Sequence, residues 1–310
     1  MLRKLRNGIA DSIACVVDRI PGLLPFFITI GKWTLFLPLV RTIYLRAVRT
    51  LCERWHLKNK QFRSVVVGPH SFVYDVSDFT IASLFFYGLT FEPETVQFLS
   101  KTLKVGNTVV DIGANRGYIS ILAAQSVKPA GRIYSFEPNP KIFEGLKEHI
   151  RLNHLEHCVE LSSLAMSNGE SDNAVFYVSN LAENSGLSSL KPDANLLREN
   201  HLNVENTIRI RTTTFDHWIE QQGITKPIDL VKIDVEGAEQ MVLDGAIDTL
   251  KFNPPTYWIV ETAPKNPLVE WMKQFGYSVS ILDETPNLVN ALFTHATANV
   301  NSIAKVPDTK

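Results

Sequence analysis

The chain has 310 residues, of which 45% are hydrophobic and 20% charged, with 16 Gly and 16 Pro; that composition excludes collagen-like, disordered and disulfide-scaffold classes. Three scattered cysteines, Cys15, Cys52 and Cys158, exclude a disulfide framework and a C-x-x-C metal site, and point to a reducing, cytoplasmic compartment. A formal net charge of −1 conceals an asymmetry: residues 1–64 carry 12 Lys/Arg against 3 Asp/Glu, so the remainder is acidic.

Residues 20–40, IPGLLPFFITIGKWTLFLPLV, have the length of a membrane span but contain Pro21, Pro25, Pro38, two glycines and Lys32. Lipid cannot replace the backbone hydrogen bonds that prolines forfeit, so a broken, interfacial or re-entrant segment is expected. Arg3, Lys4, Arg6, Arg41, Arg46 and Arg49 flank it. Residues 1–50 are therefore expected to bind a membrane surface, the alternative being helices packed on the body. Asp18 and Arg19 interrupt any early apolar core, which argues against a cleaved leader.

Residues 41–57 read as a helix, and residues 62–75 as two strands around a Gly68-Pro69 turn. Acids at Glu92 and Glu94 around Pro93 open a helix running to Lys104. From Thr108 the pattern becomes TVVDI, a helix to Val127, RIYSFE, a helix over 140–153, and VELSSLAM. Such alternation signals βαβ units in a doubly wound, mostly parallel α/β sheet. Residues 174–214 break it with AVFYVSN, a polar loop and TIRIRTTT, after which IDLVKID, a helix over 236–250, PTYWIVET, a helix over 267–275, YSVSILD and ALFTHA resume it. Three parts are expected: a basic apolar segment (1–60), a lead-in (61–107) and a cofactor-binding domain (108–310).

Asp111, Gly113, Ala114, Asn115 and Gly117 lie in a turn between a strand and a helix, where doubly wound folds bind nucleotide-like cofactors. Asn115 replaces the middle glycine of a dinucleotide fingerprint. A carboxylate at Asp111 repels a pyrophosphate but attracts a ligand carrying an ammonium and a sulfonium, which S-adenosylmethionine does. Glu137, 26 residues on, ends the next strand and suits ribose hydroxyls, while backbone groups at Ser163 and Leu164 suit the adenine. Lys232, Asp234 and Glu236 end a later strand at the same sheet edge. Alternation puts Lys232 and Asp234 on one side, where Asp234 is placed to act as general base or to orient a hydroxyl. Glu261 ends the following strand, so three acids permit a divalent metal. No His-containing spacing supports one, and none is expected.

The segments DIGANRGYISILAA, YSFEPNP, LAMSNG, IDLVKIDVEGAE and WIVETAP occur in the order seen in FkbM-type methyltransferases, which residues 91–296 resemble. The resemblance implies a seven-stranded, Rossmann-like class I fold; the helical amino-terminal extension, residues 1 to about 60, lies outside it. It also implies S-adenosylmethionine as cofactor and O-methylation of a hydroxyl on a glycan, a lipid-linked glycan or another hydroxylated small molecule. Nucleic acid is not an expected partner, since an N-P-P-Y-like loop and a basic track are both missing. Two rival readings are a membrane-tethered module that has lost turnover and a dinucleotide oxidoreductase using the same turn. His70 and His217 are loose catalytic candidates, and Trp218, Trp258 and Trp271 read as packing residues.

Overall fold

The computed structural model describes residues 2–34, 37–58, 62–67, 70–76, 85–86, 91–179, 188–191, 202–285 and 287–298. The Gly68-Pro69 turn and most of the polar loop after AVFYVSN lie outside them. Two compact units divide the chain, Met1–Phe91 and Glu92–Lys310.

In the first unit, α1 (Leu2–Arg19) ends before a 3-10 turn at Pro21–Leu23, followed by α2 (Leu24–Thr34) and α3 (Pro38–Leu57). Ala10, Ala14 and Val17 of α1 are buried, as are Tyr44, Ala47 and Leu51 of α3, a spacing of three to four residues that defines one helix face. Thr50 donates to Asp11 (2.8 Å), while Asp18 pairs with Arg54 (3.1 Å) and Lys58 (2.5 Å). Both helices climb together through these pairs, so α1 and α3 run parallel and α2 makes the return. Helical stretches within Lys4–Arg19 and Pro21–Gly31 meet at 113°, and among the described residues no single helix is long and apolar enough to cross a membrane. β1 (Phe62–Val67) and β2 (His70–Asp75) pair antiparallel, as the sequence pattern predicts.

The second unit begins with α4 (Pro93–Thr102), β3 (Thr108–Ile112), α5 (Tyr118–Val127), β4 (Arg132–Phe136), α6 (Pro140–Leu152) and β5 (Val159–Ser162). Three strands follow, β6 (Ala165–Met166), β7 (Ser171–Ser179) and β8 (Leu202–Thr213). The chain continues through α7 (Phe215–Gln222), β9 (Leu230–Ile233), α8 (Glu239–Asp244), α9 (Ile247–Phe252), β10 (Tyr257–Thr262), α10 (Leu268–Lys273), β11 (Tyr277–Glu284) and β12 (Val289–His295). The main sheet has seven strands in the order β11-β12-β10-β9-β3-β4-β5. Its strands from β10 to β5 are parallel, and β12 runs antiparallel to both β10 and β11. This is the doubly wound arrangement expected, with strand order reversing between β3 and β9.

Pleat alternation sorts the sheet's faces. Val110, Ile112, Val231, Ile233, Trp258 and Val260 join one buried core with Phe215, Trp218 and Phe293. Trp218 and Trp258 are packing residues, as expected, and Trp258 Nε1 donates to the Tyr277 hydroxyl (3.0 Å). The opposite face carries Asp111 and Lys232, aligned as neighbours on β3 and β9.

Two expected elements come out differently. VELSSLAM is two strands in different sheets, because at Ser163 and Leu164 the chain leaves the main sheet for the three-stranded β6-β8-β7 sheet. The helix expected over 236–250 is two short helices. Glu236 (φ 54°) and Gly237 (φ 98°) turn left-handed and delay the start to Glu239. The chain turns again at Gly245, which lies so close to the Ser167 carbonyl that a Cβ there would collide with it.

Candidate active site

At the carboxyl end of β3 the backbone takes three left-handed steps, at Gly113 (φ 83°), Asn115 (φ 50°) and Gly117 (φ 87°). Gly113 is forced: a Cβ on it would overlap the backbone carbonyl of Asp234, so the turn after β3 presses directly on the segment after β9. Gly113 and Ala114 donate to the Phe136 carbonyl (3.0 and 2.9 Å), which locks the turn to the end of β4. Asp111 is buried and accepts from Ser120 Oγ of α5 (2.5 Å), whose hydroxyl also contacts that of Ser135 (2.8 Å). Burial raises the Asp111 pKa to about 6, against the opposing Ser120 hydrogen bond and Lys232 charge. Glu137 accepts from the Asn115 backbone N–H with one oxygen (3.0 Å) and from that of Asn139 with the other (2.8 Å). Burial pushes its pKa up to about 7, even against those two bonds. Carboxyl groups held this way in low dielectric favour a cationic ligand with hydroxyl donors and disfavour a pyrophosphate.

Beyond Gly113 the site continues across β9 and β10. Ile233 lies opposite Val260, which brings Asp234 beside Glu261, and Glu261 lies opposite Asn290 on β12. Lys232, 1% exposed, sits beneath this row. Its Nζ is 3.3 Å from Asp234 Oδ2, 3.4 Å from Asn290 Oδ1 and 3.6 Å from Glu92 Oε1. Burial opposes its charge, but Asp234, Glu92, Glu261 and Asp111 outweigh that penalty and hold it as an ammonium. The Asp234 charge and burial drive Glu261 well above the ordinary carboxylate range. One oxygen each from Glu92, Asp234 and Glu261 lies within 4.8 Å of the others.

Glu92 is the residue that sequence reasoning missed. It precedes α4 in a left-handed conformation (φ 47°) and its side chain does not cap that helix. Asp283 of β11 caps it instead, accepting from the backbone of Glu94 (3.1 Å) and Thr95 (2.9 Å) and from the Thr95 hydroxyl (2.5 Å). The Glu92 carboxylate is thereby released toward Lys232, with its Oε2 buried and lacking a hydrogen-bond partner. Asn290 was also missed, although a polar residue within VNALFTH, inside a buried strand, was a legible signal.

The other expected residues fall as follows. Asp111, Gly113, Ala114, Asn115, Gly117 and Glu137 form one turn system, next to Lys232 and Asp234. Ser163 is exposed and Leu164 half-buried just past β5, on the same sheet edge. Glu236 lies in the left-handed turn after Asp234 and adds to the negative field at Glu261. Glu239 is spent on the backbone N–H of Gly237 (2.8 Å). His217 pairs with Glu170 (2.9 Å). The three-stranded sheet reaches the site through Ser189, whose hydroxyl donates to the Val235 carbonyl (3.2 Å).

The family model described as the methyltransferase FkbM domain matches residues 111–279. The chain is 24% identical over 161 residues to the hexuronic acid methyltransferase AglP of Haloferax volcanii, a match spanning 52% of this chain and 58% of that protein. It is 30% identical over 162 residues to the 2-O-methyltransferase NoeI of Sinorhizobium fredii, spanning 50% of this chain and 63% of that one. The chain thus spans less than two thirds of these relatives' length. Among solved structures, a precorrin-6y C5,15-methyltransferase of Geobacter metallireducens superposes with a TM-score of 0.39 at 16% identity, covering 66% of this chain and 87% of that one.

Proposed function

Because the chain belongs to the FkbM methyltransferase family, we propose that it transfers a methyl group from S-adenosylmethionine to a hydroxyl of a glycan, a glycolipid or another hydroxylated small molecule. One observation carries this reading: the turn holding Asp111, Gly113 and Glu137 abuts the Asp234 segment at the point where strand order reverses. Ligands of open α/β sheets bind at that crevice. S-adenosylmethionine would supply a methyl carbon already activated by sulfonium. The chain then has to align the acceptor, exclude water and receive one proton. Glu137 is placed for the ribose hydroxyls and Asp111 for the cationic end of the cofactor. Asp234, half-buried beside the turn, receives the acceptor's proton. Lys232 acts as a positioning residue, its ammonium facing Asp234 (3.3 Å) and Glu92 (3.6 Å). The hydroxyl acceptor is supported by the names of the two relatives, one of which acts on a hexuronic acid and the other of which is a 2-O-methyltransferase.

Calorimetric titration with S-adenosylhomocysteine tests the cofactor assignment, which fails if wild type does not bind or if Asp111→Ala binds undiminished. Labelled methyl transfer to uronic acid glycans, glycolipids and hydroxylated small molecules tests the acceptor class, with RNA as the comparison. Asp234→Asn should lower transfer by roughly 10²- to 10⁴-fold, the usual contribution of general acid–base catalysis, while cofactor affinity changes little.

For the first unit we propose a location at a membrane surface. Ile9, Val16, Ile20, Phe26 and Ile30 are exposed along the bent α1–α2 pair, while Arg6, Arg19 and Arg41 are close by in sequence. Apolar side chains presented beside cations suit the surface of an anionic bilayer, with the apolar contribution surviving salt screening. This supports a membrane-surface enzyme acting on a membrane-proximal acceptor. Full-length protein should float with phosphatidylserine vesicles at low and high salt, and Phe26→Glu with Ile30→Glu should release it. Failure to float in both salts ends the idea.

A further inference from the structure

Around Lys232, the carboxyl groups of Glu92, Asp234 and Glu261 outnumber the one ammonium, so their full ionisation would leave negative charge on the cluster uncompensated. Water does not relieve this at Glu92, which is 9% exposed and whose Oε2 has no hydrogen-bond partner. A buried carboxylate oxygen without a donor costs several kcal/mol unless something cationic answers it. Asp283 has taken over the capping of α4, so helix geometry gives Glu92 no reason to point inward. What its carboxylate shares with Asp234 and Glu261 is a common point, since one oxygen from each lies within 4.8 Å of the other two.

We propose that Glu92, Asp234 and Glu261 form a binding site for one hard divalent cation of the Mg²⁺ or Mn²⁺ class. The donor set is all oxygen, which selects such ions over zinc or copper. Three ligands from the protein leave positions for water or for oxygens of an acceptor, as catalytic cation sites require. Lys232 stays outside the ligand set and orients it, its ammonium donating to Asp234 (3.3 Å) and to Asn290 Oδ1 (3.4 Å). Any effect of the ion on methyl transfer rests on the proposed function. Its binding does not.

The test is calorimetric titration of MnCl₂ into the full-length, chelator-stripped protein. One saturable site per chain is expected, weakened at least tenfold in Glu92→Gln and in Glu261→Gln and unchanged in Glu270→Gln, an exposed acid on α10. S-adenosylhomocysteine titrations on the same samples show that each variant is folded. Absence of saturable Mn²⁺ binding by wild type overturns the site. So does an unchanged isotherm in Glu92→Gln or in Glu261→Gln, and either variant alone suffices if the other does not fold. Loss of Mn²⁺ binding with cofactor binding intact concerns the cation site only, whereas loss of cofactor binding by wild type concerns the methyltransferase reading.

Discussion

On the β3–β4 side of the site, Asp111 and Glu137 are buried acids answered by hydrogen bonds from Ser120 and from the backbone of Asn115 and Asn139. On the β9–β10 side, Glu92, Asp234 and Glu261 crowd around a single ammonium, and one of their oxygens has no donor. Fixed hydrogen bonds hold the acids of the first side in one geometry whatever occupies the site. An excess of charge suits a partner that comes and goes, and it makes that side depend on one residue.

Lys232→Met should expose that dependence most strongly, because it leaves buried carboxylates without their cation. Removing one partner of a buried ion pair costs about 3–5 kcal/mol, to be read as a lower denaturant midpoint. Asp111→Asn, on the hydrogen-bonded side, should cost no more than about 1 kcal/mol. Equal losses in the two variants would erase the distinction. Gly113→Ala attacks the wall between the two sides. Its φ of 83° and the collision with the Asp234 carbonyl should cost on the order of 2–3 kcal/mol and weaken cofactor binding and turnover together, measurable by calorimetry and single-turnover transfer.

A pH titration sharpens the cofactor side. Glu137 has a folded pKa of about 7, above its unfolded value. Its contribution to the stability of the free protein is therefore complete below the unfolded pKa and is lost as pH rises through 7. Ribose hydroxyls donate best to the ionised form, so S-adenosylhomocysteine affinity should fall as pH drops below 7, by at most about tenfold per pH unit. The charges of Asp111 and Asp234 add to burial in raising the Glu137 pKa, and Glu137→Gln should flatten the trend. The smallest effect belongs to Asp283→Asn, which weakens the remote cap of α4. A loss of about 1 kcal/mol is expected in thermal unfolding, together with a modest loss of Mn²⁺ affinity as Glu92 moves.

What the amino-acid order revealed follows the same divide. The turn from Asp111 to Gly117 and the acid at Glu137 are local signals, a strand of period two running into glycines and then a helix, and the strand alternation that carries them gave the sheet. Lys232, Asp234 and Glu261 were visible as strand-end residues because the pleat alone puts them on one face of the sheet. Glu92 was hidden because Asp283, 189 residues from Glu94, performs the capping that a local reading assigns to acids at a helix start. The break in the 236–250 helix was hidden for a similar reason, since it depends on how closely Gly245 approaches the Ser167 carbonyl.

The contact of Gly113 with the Asp234 carbonyl also governs how such a chain can be recombined. Residues 111–117 and 232–237 are distant in sequence but share one wall, so a crossover between homologous parents that separates them mates a turn with a segment shaped for another. Chimeras that inherit both stretches from one parent keep that fit wherever else they are cut. Ser189, which bridges to Tyr177 of β7, ties the three-stranded sheet to the same wall through the Val235 carbonyl, so a chimera should take that sheet from the parent that supplies residues 232–237.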